Sequence, residues 1–130
     1  MGEREILEML ATEADRRVPL IVKGLRELSE SGERDPERIE ELRVDAHGLK
    51  GAAMVVGQAR LAELGERVEI ALVQRIGPGT IQPSLATRMV AAITAFRDGA
   101  RAAADEKPEP ASVDAALSEL RAKPDHAPER

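Results

Sequence analysis

The stretch Ile39-Glu40-Glu41-Leu42-Arg43-Val44-Asp45-Ala46-His47-Gly48-Leu49-Lys50-Gly51-Ala52-Ala53-Met54-Val55-Val56 decides the fold class. Its apolar residues Ile39, Leu42, Ala46, Leu49, Ala53 and Val56 alternate spacings of three and four, the stripe of a helix that faces a core. At roughly 100° of rotation per residue, His47 falls on the order of 130° from the centre of that stripe, with Val44, Gly48, Gly51 and Val55 on the same outer face. Core seams take apolar residues, so a histidine placed off the seam among small neighbours is open to chemistry. Lys50 follows three positions later, close enough along one flank for its ammonium to meet a charge carried by the imidazole.

The same periodicity extends outward in both directions. Leu7, Leu10, Ala14, Val18, Ile21, Leu25 and Leu28 predict a first helix over about 3–29, and Pro19 inside it predicts a bend or interruption near Val18. Ser31, Gly32, Glu33 and Arg34 read as a turn, after which Asp35 and Pro36 form a helix start: an acidic cap, then proline at the first helical position. Gly57 ends or bends the His47 helix. Leu61, Leu64, Val68, Ala71 and Leu72 mark a third helix over about 58–76, stopped by Gly77, Pro78 and Gly79. Leu85, Met89, Ile93, Phe96 and Ala100 mark a fourth over about 82–104.

The expected fold is therefore all-α, an antiparallel four-helix bundle over 1–104. Pro108 and Pro110 make 105–111 an extended spacer. A short fifth C-terminal helix over 112–122, which Ser112 is placed to cap, docks through Val113, Leu117 and Leu120. Residues 123–130, His126 among them, read as a disordered tail with no ligand role.

Composition agrees with packed helices. One Phe, no Trp and no Tyr in 130 residues leave the core to Leu, Ile, Val, Ala and Met, which interdigitate between helices and lack the aromatic richness of sheets. The absence of cysteine fits a reducing compartment, with the cytoplasm the expected location, and excludes a thiolate metal site. A charged start from Glu3 onward and the lack of any long apolar run signal neither secretion nor membrane insertion. The net charge is −5, with basic residues dispersed among acidic ones, so no stripe suited to tracking nucleic-acid phosphates is present.

From Ala46 to Gly57 the chain reads AHGLKGAAMVVG, which resembles the active helix of histidine phosphotransfer (HPt) domains, with their pattern HxLKG followed by small residues and a further glycine. The likeness continues through LAELGERVEIAL in the third helix, and it is greatest to the amino-terminal phosphotransfer domain of CheA-type chemotaxis kinases. It implies that His47 is a phosphoacceptor in a two-component phosphorelay. The chemistry suits an imidazole, which is nucleophilic near neutral pH and forms a labile phosphoramidate. A carboxylate or carbonyl on the other ring nitrogen would fix the tautomer, and Lys50 would stabilise charge on the phosphoryl oxygens. In the CheA-like subfamily a glutamate late in the third helix hydrogen-bonds the histidine, and the matching position here is Glu69. Glu66, one turn earlier, stands where that subfamily often carries histidine; it and Asp45 read as solvent-facing charges.

Gly48 and Gly51 each cost roughly 1 kcal/mol inside a helix, which close approach of a partner's backbone would justify. With Val44 and Val55, and with Met54 beside them, they form the expected docking patch for a response-regulator receiver domain. No Gly-rich nucleotide loop or kinase motif is present, so the chain reads as a phosphocarrier without its own ATP site. The phosphoryl donor is then a histidine kinase catalytic domain, in the same parent chain or separate, or another receiver. No intrinsic cofactor or metal is expected, and the Mg²⁺ needed for transfer is expected from the partner. The proline-broken end fits both a free-standing relay protein and a piece of a CheA-like kinase. The rival readings are a helical adaptor whose histidine is inactive and, less well supported by two histidines, a metal-dependent hydrolase.

Overall fold

A computed structural model of the chain describes residues 2–122. It consists of helices α1 (Glu3–Ser31), α2 (Pro36–Val55), α3 (Ala59–Ile76), α4 (Pro83–Ala104) and α5 (Ala111–Ala122), with no strand among the described residues. Helices α1 and α3 each pack on both α2 and α4, while the diagonal pairs share no close backbone contact. The four thus close into a ring, the bundle read from the sequence, and α5 packs against α3 and α4.

The stripes become the core. Ile39, Leu42, Ala46, Leu49 and Ala53 of α2 are all buried, as are Leu61, Leu64, Val68, Ala71 and Leu72 of α3. Phe96, the single aromatic residue, is fully enclosed among them. No polar or charged residue is buried among the described residues, so the interior is apolar and the titratable side chains lie on the outside of the ring.

Helix ends follow local rules, with two departures from expectation, at Ser31 and Ser112. Of the bend or interruption expected at Pro19, the interruption does not occur: α1 is a single helix through it. The proline is exposed, as is Asp15 four residues earlier, so the carbonyl that loses its helical partner can be hydrated without breaking the helix. Ser31 is the last residue of α1 rather than the first of the turn, and Gly32 ends the helix at φ 67°, donating to the Leu28 carbonyl at 3.2 Å. Ser112 does not cap α5: it is the second residue of that helix. The Pro110 carbonyl already accepts from the Val113 N–H at 3.1 Å, which starts the helical turn one residue earlier. Val113, Ala116 and Leu117 are buried by this docking and Leu120 is half-buried. Residues 123–130, including the expected disordered tail and His126, lie outside the described residues.

Two turns at one end of the bundle are tied together. Asp35 caps α2 by accepting from the Arg38 N–H at 3.0 Å, and its own N–H donates to the Gly79 carbonyl at 2.6 Å. Arg34 donates to the carbonyls of Gly77 and Pro78. At the other end α2 closes in a Schellman turn: Gly57, at φ 78°, donates to Met54 and Gln58 donates to Ala53. Helix α4 closes the same way, with Glu106 at φ 58° in the left-handed position and Lys107 donating to Ala102 at 2.8 Å. No described helix is long and apolar enough to cross a membrane.

Candidate functional site

Burial of Ala46 and Leu49 fixes the rotation of α2 and turns His47 outward, its side chain 60% exposed. Burial of Val68 and Leu72 does the same for α3 and leaves Glu69 at the edge of the α2–α3 seam, its side chain only 14% exposed. Between them lies Gly65, where an added Cβ would stand 3.1 Å from the Lys50 backbone nitrogen. The missing side chain lets the helices approach closely one turn from Glu69, bringing its carboxylate to His47.

Glu69 Oε1 and Oε2 lie 3.1 and 3.0 Å from His47 Nδ1. An ionised carboxylate only accepts, so this contact assigns the ring proton to Nδ1 and the free lone pair to Nε2. Nε2 has no hydrogen bond to any described residue, which leaves its lone pair unengaged on a ring whose side chain is 60% exposed.

Cations surround the carboxylate. Arg43 Nη1 donates to Glu69 Oε2 at 2.8 Å, and Lys50 Nζ stands 3.8 Å from Oε1. Burial pushes the Glu69 carboxyl up, but the His47 hydrogen bond and charge, the Arg43 hydrogen bond and the Lys50 charge together outweigh it and hold the group below its usual range. Glu69 is thus kept ionised, as an acceptor for the Nδ1 proton must be.

The remaining positions read from the sequence are spread around this centre. Val44, Met54 and Val55 are exposed, Val55 to 87%. Gly51 has no atom within 4 Å of where a Cβ would stand, so the helix surface there is open. The space over Gly48 is taken from within the chain: the Arg17 guanidinium of α1 lies 2.7 Å from the Cβ position. Arg17 is held by Glu13 and stands 3.5 Å from Asp45. Glu66 is exposed, and the His47 hydrogen bonds go to Glu69. Arg43 and Arg17 are the two contributors that the sequence did not single out. Arg43 stands one turn before His47 on the same flank, a usable signal, but arginine and glutamate are too common in this chain for spacing alone to pick it out.

A shallow apolar groove of about 490 Å³ runs between α1 and α2, lined by Ile6, Met9, Leu10, Ala52, Val55 and Val56 with Glu13 at its rim. No group of three or more His, Asp or Glu side chains among the described residues is placed to hold a metal ion.

The family model of the Hpt domain matches residues 5–123. The chain belongs to the Hpt domain family. Membership places it in histidine phosphotransfer within phosphorelays. The matched span of this Hpt domain runs from the first turn of α1 through α5, and His47 is the single histidine among its described residues. No curated protein matches the chain.

Proposed function

We propose that His47 is the phosphoacceptor of this Hpt domain and that it passes the phosphoryl group to an aspartate of a response-regulator receiver, in a setting like that of CheA kinases. The observation that carries the reading is the His47–Glu69 contact, which directs Nδ1 inward while the ring stays 60% exposed.

In the first step the Nε2 lone pair attacks phosphorus in line, the bond from phosphorus to the donor's leaving oxygen breaks, and that oxygen keeps the electron pair. The ring becomes cationic, and Glu69, sharing the Nδ1 proton, offsets the charge. In the second step an aspartate oxygen of the receiver attacks phosphorus, the P–N bond breaks and its electron pair returns to Nε2. Lys50, whose Nζ stands 3.8 Å from Glu69 Oε1, would meet the equatorial oxygens in both directions. Any Mg²⁺ that the transfer needs would be held by carboxylates of the partner.

For the receiver, Val44, Gly51 and Val55 offer an apolar, low-relief surface on both sides of the ring, and the groove beside Val55 extends it onto α1. Gly48 contributes by seating Arg17 at the edge of this surface. Contacts of this kind are small and transient in relay proteins. The CheA-like setting is supported by the Glu69 contact and by the docked α5, both of which the sequence resemblance implied. A free-standing relay protein is the second reading, and it uses the same His47 chemistry.

The test is phosphorylation of the wild type and of His47→Gln. Each would be incubated with ATP and a CheA-type catalytic domain, and separately with a phosphorylated receiver. Acid-labile label on the wild type and none on the variant is expected. Equal label on both would remove His47 from the reaction, and label from the receiver alone would favour the free-standing relay.

A further inference from the structure

Both oxygens of Glu69 lie almost equally far from His47 Nδ1, at 3.1 and 3.0 Å. The histidine contact therefore does not by itself fix the rotation of the carboxylate, whose terminal torsion has a broad energy profile. Something else must hold it. Lys50 Nζ, at 3.8 Å from Oε1, is beyond hydrogen-bond distance. Arg43 is not: its Nη1 donates to Oε2 at 2.8 Å.

Arg43 is itself held. Its Nε and Nη2 donate to Glu40 Oε1 and Oε2 at 2.9 and 2.8 Å, a two-bond clamp that sets the plane of the guanidinium. Glu40 lies one helical turn away on the same helix, so the clamp is local to α2 and independent of the α2–α3 seam. The third arm of the guanidinium then meets Glu69 from a fixed direction. A lysine at this position would be a point charge on a mobile stem and could not span both carboxylates with a planar fork.

We infer that Arg43, anchored by Glu40, is a positioning residue that aims Glu69 at His47 Nδ1 and so selects the Nδ1–H tautomer. The two cations around Glu69 divide the work. Arg43 is the fixed partner of Oε2, and Lys50, loosely held at Oε1, is free to turn toward a phosphoryl group on Nε2 without releasing Glu69. The part that concerns phosphoryl transfer rests on the function proposed above; the part that concerns the tautomer does not.

The test uses nitrogen NMR of the His47 imidazole in the whole chain at about pH 8.5, above the ordinary histidine range. The wild type is expected to show the Nδ1–H tautomer. In Arg43→Gln the Nε2–H form should become a substantial share of the population, and phosphoryl uptake should slow about 10-fold, the scale on which removing a group that orients an active-site histidine acts. Glu40→Gln keeps the Arg43 charge but frees the fork, and should shift the tautomer in the same direction by less. Circular dichroism of both variants reports that the helices are retained, which surface positions on α2 lead one to expect. An unchanged Nδ1–H tautomer in both folded variants would overturn the inference. Because the NMR arm needs no phosphodonor, a wild type that takes up no phosphoryl group would count against the proposed function alone.

Discussion

Gly65 of α3 stands against Lys50 of α2 with little room to spare: a Cβ there would lie 3.1 Å from both the nitrogen and the Cβ of Lys50 and 3.2 Å from its Cα, so the helices would have to give by a few tenths of an ångström. Two of those atoms are backbone, so they cannot swing aside. The glycine sets the separation of the two helices at the point where the His47 ring and its carboxylate partner come from opposite sides. Gly65→Ala should push α3 outward and lengthen the His47–Glu69 contact. The cost of overpacking exceeds the helix-propensity gain, for a net loss of about 1–2 kcal/mol. Urea unfolding measures the loss, and a rise in stability would show that the seam yields easily.

Glu69 gives the stability of the protein a definite pH dependence. Its carboxyl is held below the usual value of 4.5, burial being outweighed by the His47, Arg43 and Lys50 interactions. A group whose pKa is lower folded than unfolded contributes stability above the unfolded value and loses it as pH falls through the folded one. Glu69→Gln lacks this contribution. The melting temperature of the wild type should exceed that of Glu69→Gln at pH 7, and the gap should close as pH falls below about 4.5. A gap that stays constant down to pH 3 would contradict the ionised assignment.

The two glycines that follow His47 in sequence, Gly48 and Gly51, behave differently. Gly51 faces open space, so Gly51→Ala meets nothing and should stabilise the helix by about 1 kcal/mol. If a receiver backbone lies on this surface, the same methyl group obstructs it, and transfer to the receiver should slow while stability rises. Gly48→Ala must displace the Arg17 guanidinium. That is the far end of a flexible side chain, so the variant should fold with little or no gain. Thermal melts paired with transfer rates separate the two effects. Equal rates for Gly51→Ala and the wild type would remove Gly51 from the docking surface.

Glu106 holds a left-handed conformation at φ 58° in the turn that ends α4. A side chain costs on the order of 1 kcal/mol there relative to glycine, partly offset by the greater freedom of glycine in the unfolded chain. The Arg4 ion pair that Glu106 would give up is 3.8 Å long and well exposed on both sides, so it contributes little. Glu106→Gly should therefore raise the melting temperature by a few degrees, about 2–4 °C.

What the sequence made legible was whatever repeats along one helix. The stripe from Ile39 to Ala53 gave both the helix and the outward direction of His47, because rotation per residue is a property of a single helix. Contacts between helices depend on register and separation, which periodicity does not encode. Glu69 was reached only through resemblance, since Glu66 and Asp45 were equally good carboxylates by composition. Arg17 over Gly48 comes from the α1–α2 crossing, and nothing in either helix alone signals it. Pro19 predicts a bend or a break in α1 because its missing N–H is certain; that the helix is not broken goes with its exposure, which lets water meet the freed carbonyl and is a tertiary fact. Ser112 reads as a cap on residue type, whereas the preceding Pro110 carbonyl begins the turn one residue earlier.

The commitment of Nδ1 to Glu69 also limits what product can form. An imidazole can carry phosphorus on either nitrogen, giving two regioisomers that differ in lability and are told apart by isomer-selective antibodies. With one nitrogen engaged in the seam, the proposed chemistry yields only the tele isomer, so a pros-selective reagent should remain blind to the charged form of this protein.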